Sequence, residues 1–274
     1  MLLGASHPGP VGAVTATALG LAASGGAPPA AVARIGAAVL SGQLAIGWQN
    51  DYLDAARDLR AGRPDKPLAT GAVSRRAVGR AAGAAAALCV PLSLASGRRT
   101  GALHLLAVAS GAAYNTALKA TPLSFAPYAL SFGLLPRFCL AAAGEEAPLW
   151  ASAAGSALGL AAHFVNVLPD RDEDRKLGVL GLPQRLGPET DIALAGAFLG
   201  CSALLVAHGA GSAPQARAAR AAGLALAGGV VALARRGRGR AAFRLVLLLA
   251  LLDVAALLRA TARRARGGPL SGVR

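Results

Sequence analysis

Along almost the whole chain, apolar runs of roughly 20 residues alternate with short polar breaks, the length an α-helix needs to cross a bilayer. The runs cover about Pro8–Ala23, Ala30–Tyr52, Ala77–Leu94, Gly101–Leu118, Leu123–Ala143, Leu149–Leu168, Thr190–Ala210, Ala216–Ala234 and Ala241–Leu258. They predict an all-α membrane protein with nine spans in a single domain over residues 1–274. The breaks hold residues that stop helices: Gly25-Gly26-Ala27-Pro28-Pro29, a short turn at Arg98-Arg99, and Gly144-Glu145-Glu146-Ala147-Pro148. Pro127 and Pro136 interrupt the fifth run. The most polar stretch is Asp54–Arg80, where Pro64 and Pro67 end any continuing helix and Ser74 is placed to cap the next. Asp170–Pro188 reads as a loop.

Two breaks open on the same pattern. Asn50, Asp54 and Asp58 recur every four residues, so on a helix they stack along one face about 6 Å apart, and Asp51 borders that face. Asn166, Asp170 and Asp174 repeat the spacing at the end of the sixth run. Asp172 points roughly away from them, and Pro169 ends or kinks the span where the acidic face begins. Seven of the 13 acidic residues fall within these two segments: Asp51, Asp54, Asp58, Asp170, Asp172, Glu173 and Asp174. Unpaired carboxylates beside apolar segments are costly unless a cation or ligand meets them. A lone Asp could simply end a helix in water. Two matching faces point instead to divalent metal, and oxygen-only ligands select magnesium or calcium.

Composition agrees with the pattern: 54% of the 274 residues are hydrophobic and only 15% are charged. A soluble domain carries about a quarter charged residues. The net charge of +15 is spread over the breaks rather than gathered into a stripe, which argues for topology-setting loops and against nucleic acid. Both acidic segments fall on the same side of a nine-span layout, and the loops there hold the larger share of the 28 basic residues. The positive-inside rule makes that side cytoplasmic, although the basic tail Arg259, Arg263, Arg264, Arg266 and Arg274 pulls the other way. The start, Met1–Pro10, has no basic n-region, so no cleavable signal peptide is expected. Richness in Ala, Arg and Gly points to a bacterial source, hence a multi-pass protein of a bacterial cell membrane.

All three lysines, Lys66, Lys119 and Lys176, lie in loops on the acidic side, where they are either phosphate partners or topogenic charges. Arg63, Arg171 and Arg175 are further candidates. Cys89, Cys139 and Cys201 sit inside apolar runs and read as small buried side chains. The histidines His7, His104, His163 and His208 are scattered without ligand spacing. His163 is within reach of Asn166 but reads as a packed neutral side chain.

Taken together, these residues resemble the UbiA superfamily of intramembrane prenyltransferases. The resemblance rests on the N-D-x-x-D-x-x-x-D run from Asn50 to Asp58. It extends to Asp65-Lys66-Pro67-Leu68-Ala69-Thr70-Gly71 with Ser74, to Tyr114 with Lys119, and to Asp170-Arg171-Asp172-Glu173-Asp174-Arg175-Lys176-Leu177-Gly178. It implies nine transmembrane helices around a central cavity, a cytoplasmic cap over a metal site, and a Mg2+-dependent reaction of an isoprenyl diphosphate. Asn50, Asp54 and Asp58 would hold one ion and Asp170 and Asp174 the other. Lys66, Lys119 and Arg63 would neutralise the diphosphate, with Asp51, Tyr114, Asn166, Arg175 and Lys176 also at the substrate. The prenyl group would pass to an unidentified acceptor, and membrane lipid would receive the tail.

The chain departs from the family at Ser6-His7-Pro8, where many members carry an acceptor-binding Arg-Pro, and at Leu168-Pro169, where many members with aromatic acceptors differ. Both departures bear on the acceptor. A terpene cyclase of the same superfamily is the alternative enzyme, mildly disfavoured by 4% aromatic residues because aromatic faces stabilise carbocations. An ion-conducting transporter would place its carboxylates nearer the midplane. A purely structural scaffold would leave the acidic segments unexplained.

Overall fold

Helix boundaries in the computed structural model, which describes residues 2–63, 66–209 and 214–249, follow the punctuation of the sequence. The helices are α1 (Pro8–Ser24), α2 (Pro29–Arg60), α3 (Arg75–Leu94), α4 (Arg98–Ala113), α5 (Ala126–Ala141), α6 (Leu149–Val167), α7 (Arg171–Lys176), α8 (Leu182–Leu186), α9 (Pro188–Gly209) and α10 (Pro214–Arg235). Residues 239–249 are helical as well, and no strand occurs among the described residues. Prolines sit in the first turns of α1, α2 and α5, where a missing N–H costs nothing. Ser74 caps α3 as expected, its Oγ accepting from Ala77 N at 3.2 Å.

Successive helices from α1 to α6 pack side by side, α9 packs on α6, α10 on α9, and α1 also touches α5. The α5–α6 contact is close because its glycines remove side chains. A Cβ at Gly159 would lie 2.5 Å from the Tyr128 carbonyl oxygen, so only glycine allows this approach. One apolar core joins α6, α9, α10 and the 239–249 stretch through Phe164, Val165, Leu199, Val230 and Val246. A second joins α1, α2 and α5 through Leu21, Ile35, Val39 and Phe138. Leu88, Leu106, Leu130 and Leu204 point outward, whereas Ala, Gly and Ser crowd the interior, the distribution expected where lipid rather than water surrounds the helices. Among the described residues, four helical segments are long and apolar enough to cross a membrane: Pro29–Arg60, Arg75–Leu94, Pro122–Ala141 and Pro188–Gly209.

Helix α2 sets the position of the site. Its 32 residues extend about 48 Å, well beyond an apolar layer of about 30 Å, so one rigid helix carries Asn50–Asp58 past the end of its own apolar portion.

Several local expectations change. The supposed loop Asp170–Pro188 contains α7 and α8. The first turn of α7 is acidic (Asp172, Glu173, Asp174) and its last turn basic (Arg175, Lys176), which suits the helix dipole. Arg98 and Arg99 open α4 rather than form the turn, which is made by Gly97 at φ 103°. Helix α5 continues through Pro136. Cys201 is exposed, because it lies on the outward face of α9. The end of the ninth expected run, the basic tail from Arg259, and Pro64 with Asp65 lie outside the described residues.

Candidate active site

The two acidic segments line one cavity of about 440 Å³. Asn50, Asp54, Arg57 and Asp58 enter it from α2, Tyr114 from the turn after α4, and Asn166 from α6. Asp170, Glu173 and Asp174 come from α7 and its N-cap, and Arg63, Lys66 and Lys119 from the connections. Val11, Val14, Ile46, Phe132, Phe243 and Leu247 form its apolar wall. A smaller apolar cavity shares Val14, Phe132 and Leu247 with it, so these three side chains separate the two spaces.

Basic groups stand between the two acidic segments. Lys119 Nζ donates to Asp54 Oδ1, and Arg57 Nη2 meets Asp54 Oδ2 at 2.5 Å. Arg63 Nη1 reaches across to Asp170 Oδ2 at 3.2 Å, joining the end of α2 to the second segment. Carboxylates facing one another across a cavity repel, and interposed cations relieve that repulsion. Burial holds the Asp174 carboxyl above the usual carboxylate range, opposed by the charge of Arg57 and by a hydrogen bond from Gln184. Asp174 Oδ2 accepts that bond from Gln184 Nε2 at 3.0 Å.

The chain leaves the α-helical path just beside this cluster. Tyr114–Leu118 forms a π-helical turn after α4, a feature often found at functional sites. The turn directs Asn115 inward. Its amide donates to Ile46 O at 3.0 Å and Gln49 Oε1 at 3.1 Å, and its Oδ1 accepts from Asn50 Nδ2 at 3.3 Å. Asn50 Nδ2 also bonds Asp54 Oδ2 at 3.2 Å, so the carbonyl oxygen of Asn50 is the atom left to act as a ligand. Tyr114 packs edge-on against Tyr128 at 5.3 Å. His163 is packed as expected, 1% exposed, with Nε2 3.0 Å from Ser124 Oγ.

Not every expected site residue lines the cavity. Asp51 turns aside: its side chain is 2% exposed and binds Lys66 Nζ at 2.6 Å and His7 Nε2 at 3.0 Å. It anchors Lys66 rather than facing the cavity. Arg175 folds back to the Gln184 carbonyl at 2.6 Å, and Lys176 is exposed, because α7 is too short to aim its last turn at the cavity. Asp172 points to solvent, as its register requires, with 89% of its side chain exposed. Sequence reasoning missed Arg57, Asn115 and Gln184, and it marked His7 only within a departure that bears on the acceptor. His7 alone carried a signal, standing at a break before the first apolar run. It adopts φ 59°, a conformation rare outside glycine that brings it to the cavity wall.

The donor set fits a hard divalent cation, since the acidic groups on the cavity wall offer only oxygen. Among the described residues, no three His, Cys, Asp or Glu side chains converge to hold an ion by themselves. An ion here would complete its shell with water and phosphate oxygens, which is how magnesium is commonly bound.

The model of the UbiA prenyltransferase family matches residues 11–255, nearly the whole chain and both acidic segments. The chain belongs to that family. Solved structures agree in fold. A UbiA homolog from Aeropyrum pernix K1, in its apo form, has a TM-score of 0.74 at 22% identity, covering 90% of this chain and 97% of that one. A UbiA homolog from Archaeoglobus fulgidus bound to DMAPP and Mg2+ has a TM-score of 0.75 at 18% identity, covering 95% and 99%. A digeranylgeranylglyceryl phosphate synthase has a TM-score of 0.68 at 13% identity, covering 96% and 98%. A comparison with curated protein sequences finds no match. The UbiA fold accounts for the all-helical architecture.

Proposed function

We propose that this UbiA-family protein is a Mg2+-dependent prenyltransferase that moves an isoprenyl group from a prenyl diphosphate to an acceptor and releases diphosphate. In this reading residues 1–274 form one UbiA-like domain of nine transmembrane helices, set in a bacterial cell membrane with the cavity facing the cytoplasm. One observation carries it: two acidic segments and two half-buried lysines line a single cavity that also has an apolar stretch of wall, Val11, Val14, Ile46, Phe132, Phe243 and Leu247. That is the polarity of an isoprenyl diphosphate, charged at one end and hydrocarbon at the other. The Archaeoglobus homolog, bound to DMAPP and Mg2+, supports the same ligand class.

Magnesium bound there would neutralise charge on the departing diphosphate. Asn50, Asp54 and Asp58 on α2 would hold one ion, and Asp170 and Asp174 the other. Lys66, Lys119 and Arg63 donate to diphosphate oxygens as the C1–O bond breaks and its electron pair leaves with the diphosphate. Lys119 and Arg57 pair with Asp54 and would have to leave its oxygens for Asp54 to hold an ion. Tyr114 and Tyr128 stand at the reacting end of the apolar wall and face the allylic cation. Val14, Ile46 and Phe132 exclude water from it. The acceptor bonds to C1, and the proton it loses passes to the released diphosphate or to water.

The cyclase reading gains one observation. Although aromatic residues are few, Tyr114, Tyr128, Phe132 and Phe243 all line this cavity, where aromatic faces can steady a cation during ring closure. Pyrophosphate release by purified protein decides between the readings. The assay uses Mg2+ with geranylgeranyl or longer prenyl diphosphates, with and without membrane extract. A transferase needs extract and yields a prenylated acceptor, whereas a cyclase releases pyrophosphate alone and yields a hydrocarbon. Inert substrates in all conditions would overturn both.

A further inference from the structure

Gln184 stands out among residues that the proposed chemistry does not use. It lies on α8, is 2% exposed, and yet reaches the cavity wall. Three residues of the second acidic segment converge on it. Its Nε2 donates to Asp174 Oδ2 at 3.0 Å. Its carbonyl oxygen accepts from Arg175 Nη1 at 2.6 Å and from Arg171 Nη2 at 3.4 Å. Its Oε1 is buried without a hydrogen-bond partner among the described residues, a costly state for an amide oxygen.

The location of α8 is itself well fixed. Ser124 Oγ accepts from Leu182 N at 2.9 Å and bonds His163 at 3.0 Å, which ties the start of α8 to the turn before α5 and to α6. Gly181 passes so close to Ser124 and Gln184 that a Cβ there would lie 2.9 Å from Ser124 Oγ and 2.8 Å from Gln184 Oε1. The amide is therefore held rigidly, whereas α7, at six residues, has little helical stability of its own.

We infer that Gln184 is a positioning residue: its amide, held from α8, fixes Asp174 in the rotamer that presents its other carboxylate oxygen to the cavity. A carboxylate oriented by one hydrogen bond keeps its second oxygen for a ligand, and such supporting partners commonly set affinity by roughly 10–100-fold. This inference rests on the proposed metal-dependent reaction.

The test is Gln184→Met, which keeps length and volume but removes the amide. Two quantities are read: calorimetric Mg2+ affinity in the presence of inorganic pyrophosphate, and the Mg2+ dependence of turnover. The expected result is Mg2+ binding weaker by roughly 10–100-fold, with turnover largely recovered as Mg2+ is raised. In an Asp174→Asn background, Q184M should add little, because Gln184 acts through Asp174. A Mg2+ affinity within about twofold of the parent's would overturn the inference, whatever happens to stability, since it falls far below the effect expected of a supporting partner. If Q184M does not fold, Gln184→Asn carries the test by withdrawing the amide one methylene, and unchanged Mg2+ affinity there overturns the inference equally. A wild-type protein that binds no Mg2+ with pyrophosphate removes the underlying functional reading instead, so the two failures are distinguishable.

Discussion

Asp51→Ala tests the division of labour among four acidic or amide residues of α2 that share nine positions of sequence. The Asp51 side chain is 2% exposed, against 13% for Lys66 and 40% for His7. At 2.6 Å the gross attraction between Asp51 and Lys66 is about 6 kcal/mol for an effective dielectric near 20, and desolvation of both groups offsets most of it. Removing one member of such a pair still costs about 3–5 kcal/mol, because the other charge is left without compensation. Lys66 borders the cavity and can recover some hydration, which places the expected loss near the lower end, about 3 kcal/mol.

Unfolding in mixed SDS micelles, followed by the fluorescence of Trp48 and Trp150, measures this directly. Adding Lys66→Met to Asp51→Ala should restore part of the stability, since no lone charge remains. Activity should behave differently: D51A, K66M and the double variant should share one level of loss, because Asp51 acts chiefly by holding Lys66. A D51A loss below about 1 kcal/mol, or activity losses that multiply in the double variant, would refute the assignment of Asp51 as an anchor, because a broken buried pair costs more and residues acting as a unit are non-additive.

Other expectations concern the site and its supports. Asp54→Ala and Asp174→Ala should each lower pyrophosphate release by about 10²–10³-fold, the usual cost of losing one charge-stabilising group, while both proteins still elute as folded species in detergent. Gly159→Leu should destabilise by about 1–3 kcal/mol in the same SDS titration, because its side chain meets the Tyr128 carbonyl and the Phe132 ring across α5–α6. Asp191→Ala should also cost about 3 kcal/mol or more. Asp191 is wholly buried at the start of α9 with Arg171 Nε 3.6 Å away, and removing it leaves the mostly buried guanidinium only the exposed Asp172, at 3.7 Å, as an acidic partner. An unchanged unfolding midpoint in that variant would show that Arg171 finds its partner elsewhere.

The sequence by itself determined the long apolar helices and the face that the acidic residues of α2 share. Apolar runs of bilayer length leave a helix as the only structure that satisfies its own backbone, and Ser74, Pro8 and Pro29 mark starts by local rules. The four-residue spacing of Asn50, Asp54 and Asp58 fixes a shared face because helix geometry depends on neighbours alone. Tertiary structure decided which residues serve that face and which support it. His7 lies 44 positions from Asp51, Lys119 65 from Asp54, and Gln184 belongs to a separate short helix whose placement depends on Ser124. Asp51 and Asp54 look alike in sequence, yet one is claimed by Lys66 and His7 and the other faces the cavity. Helical periodicity places a side chain within a few tens of degrees. Whether it meets a lysine, a glutamine or open space depends on packing between segments far apart in the chain, which no local pattern records.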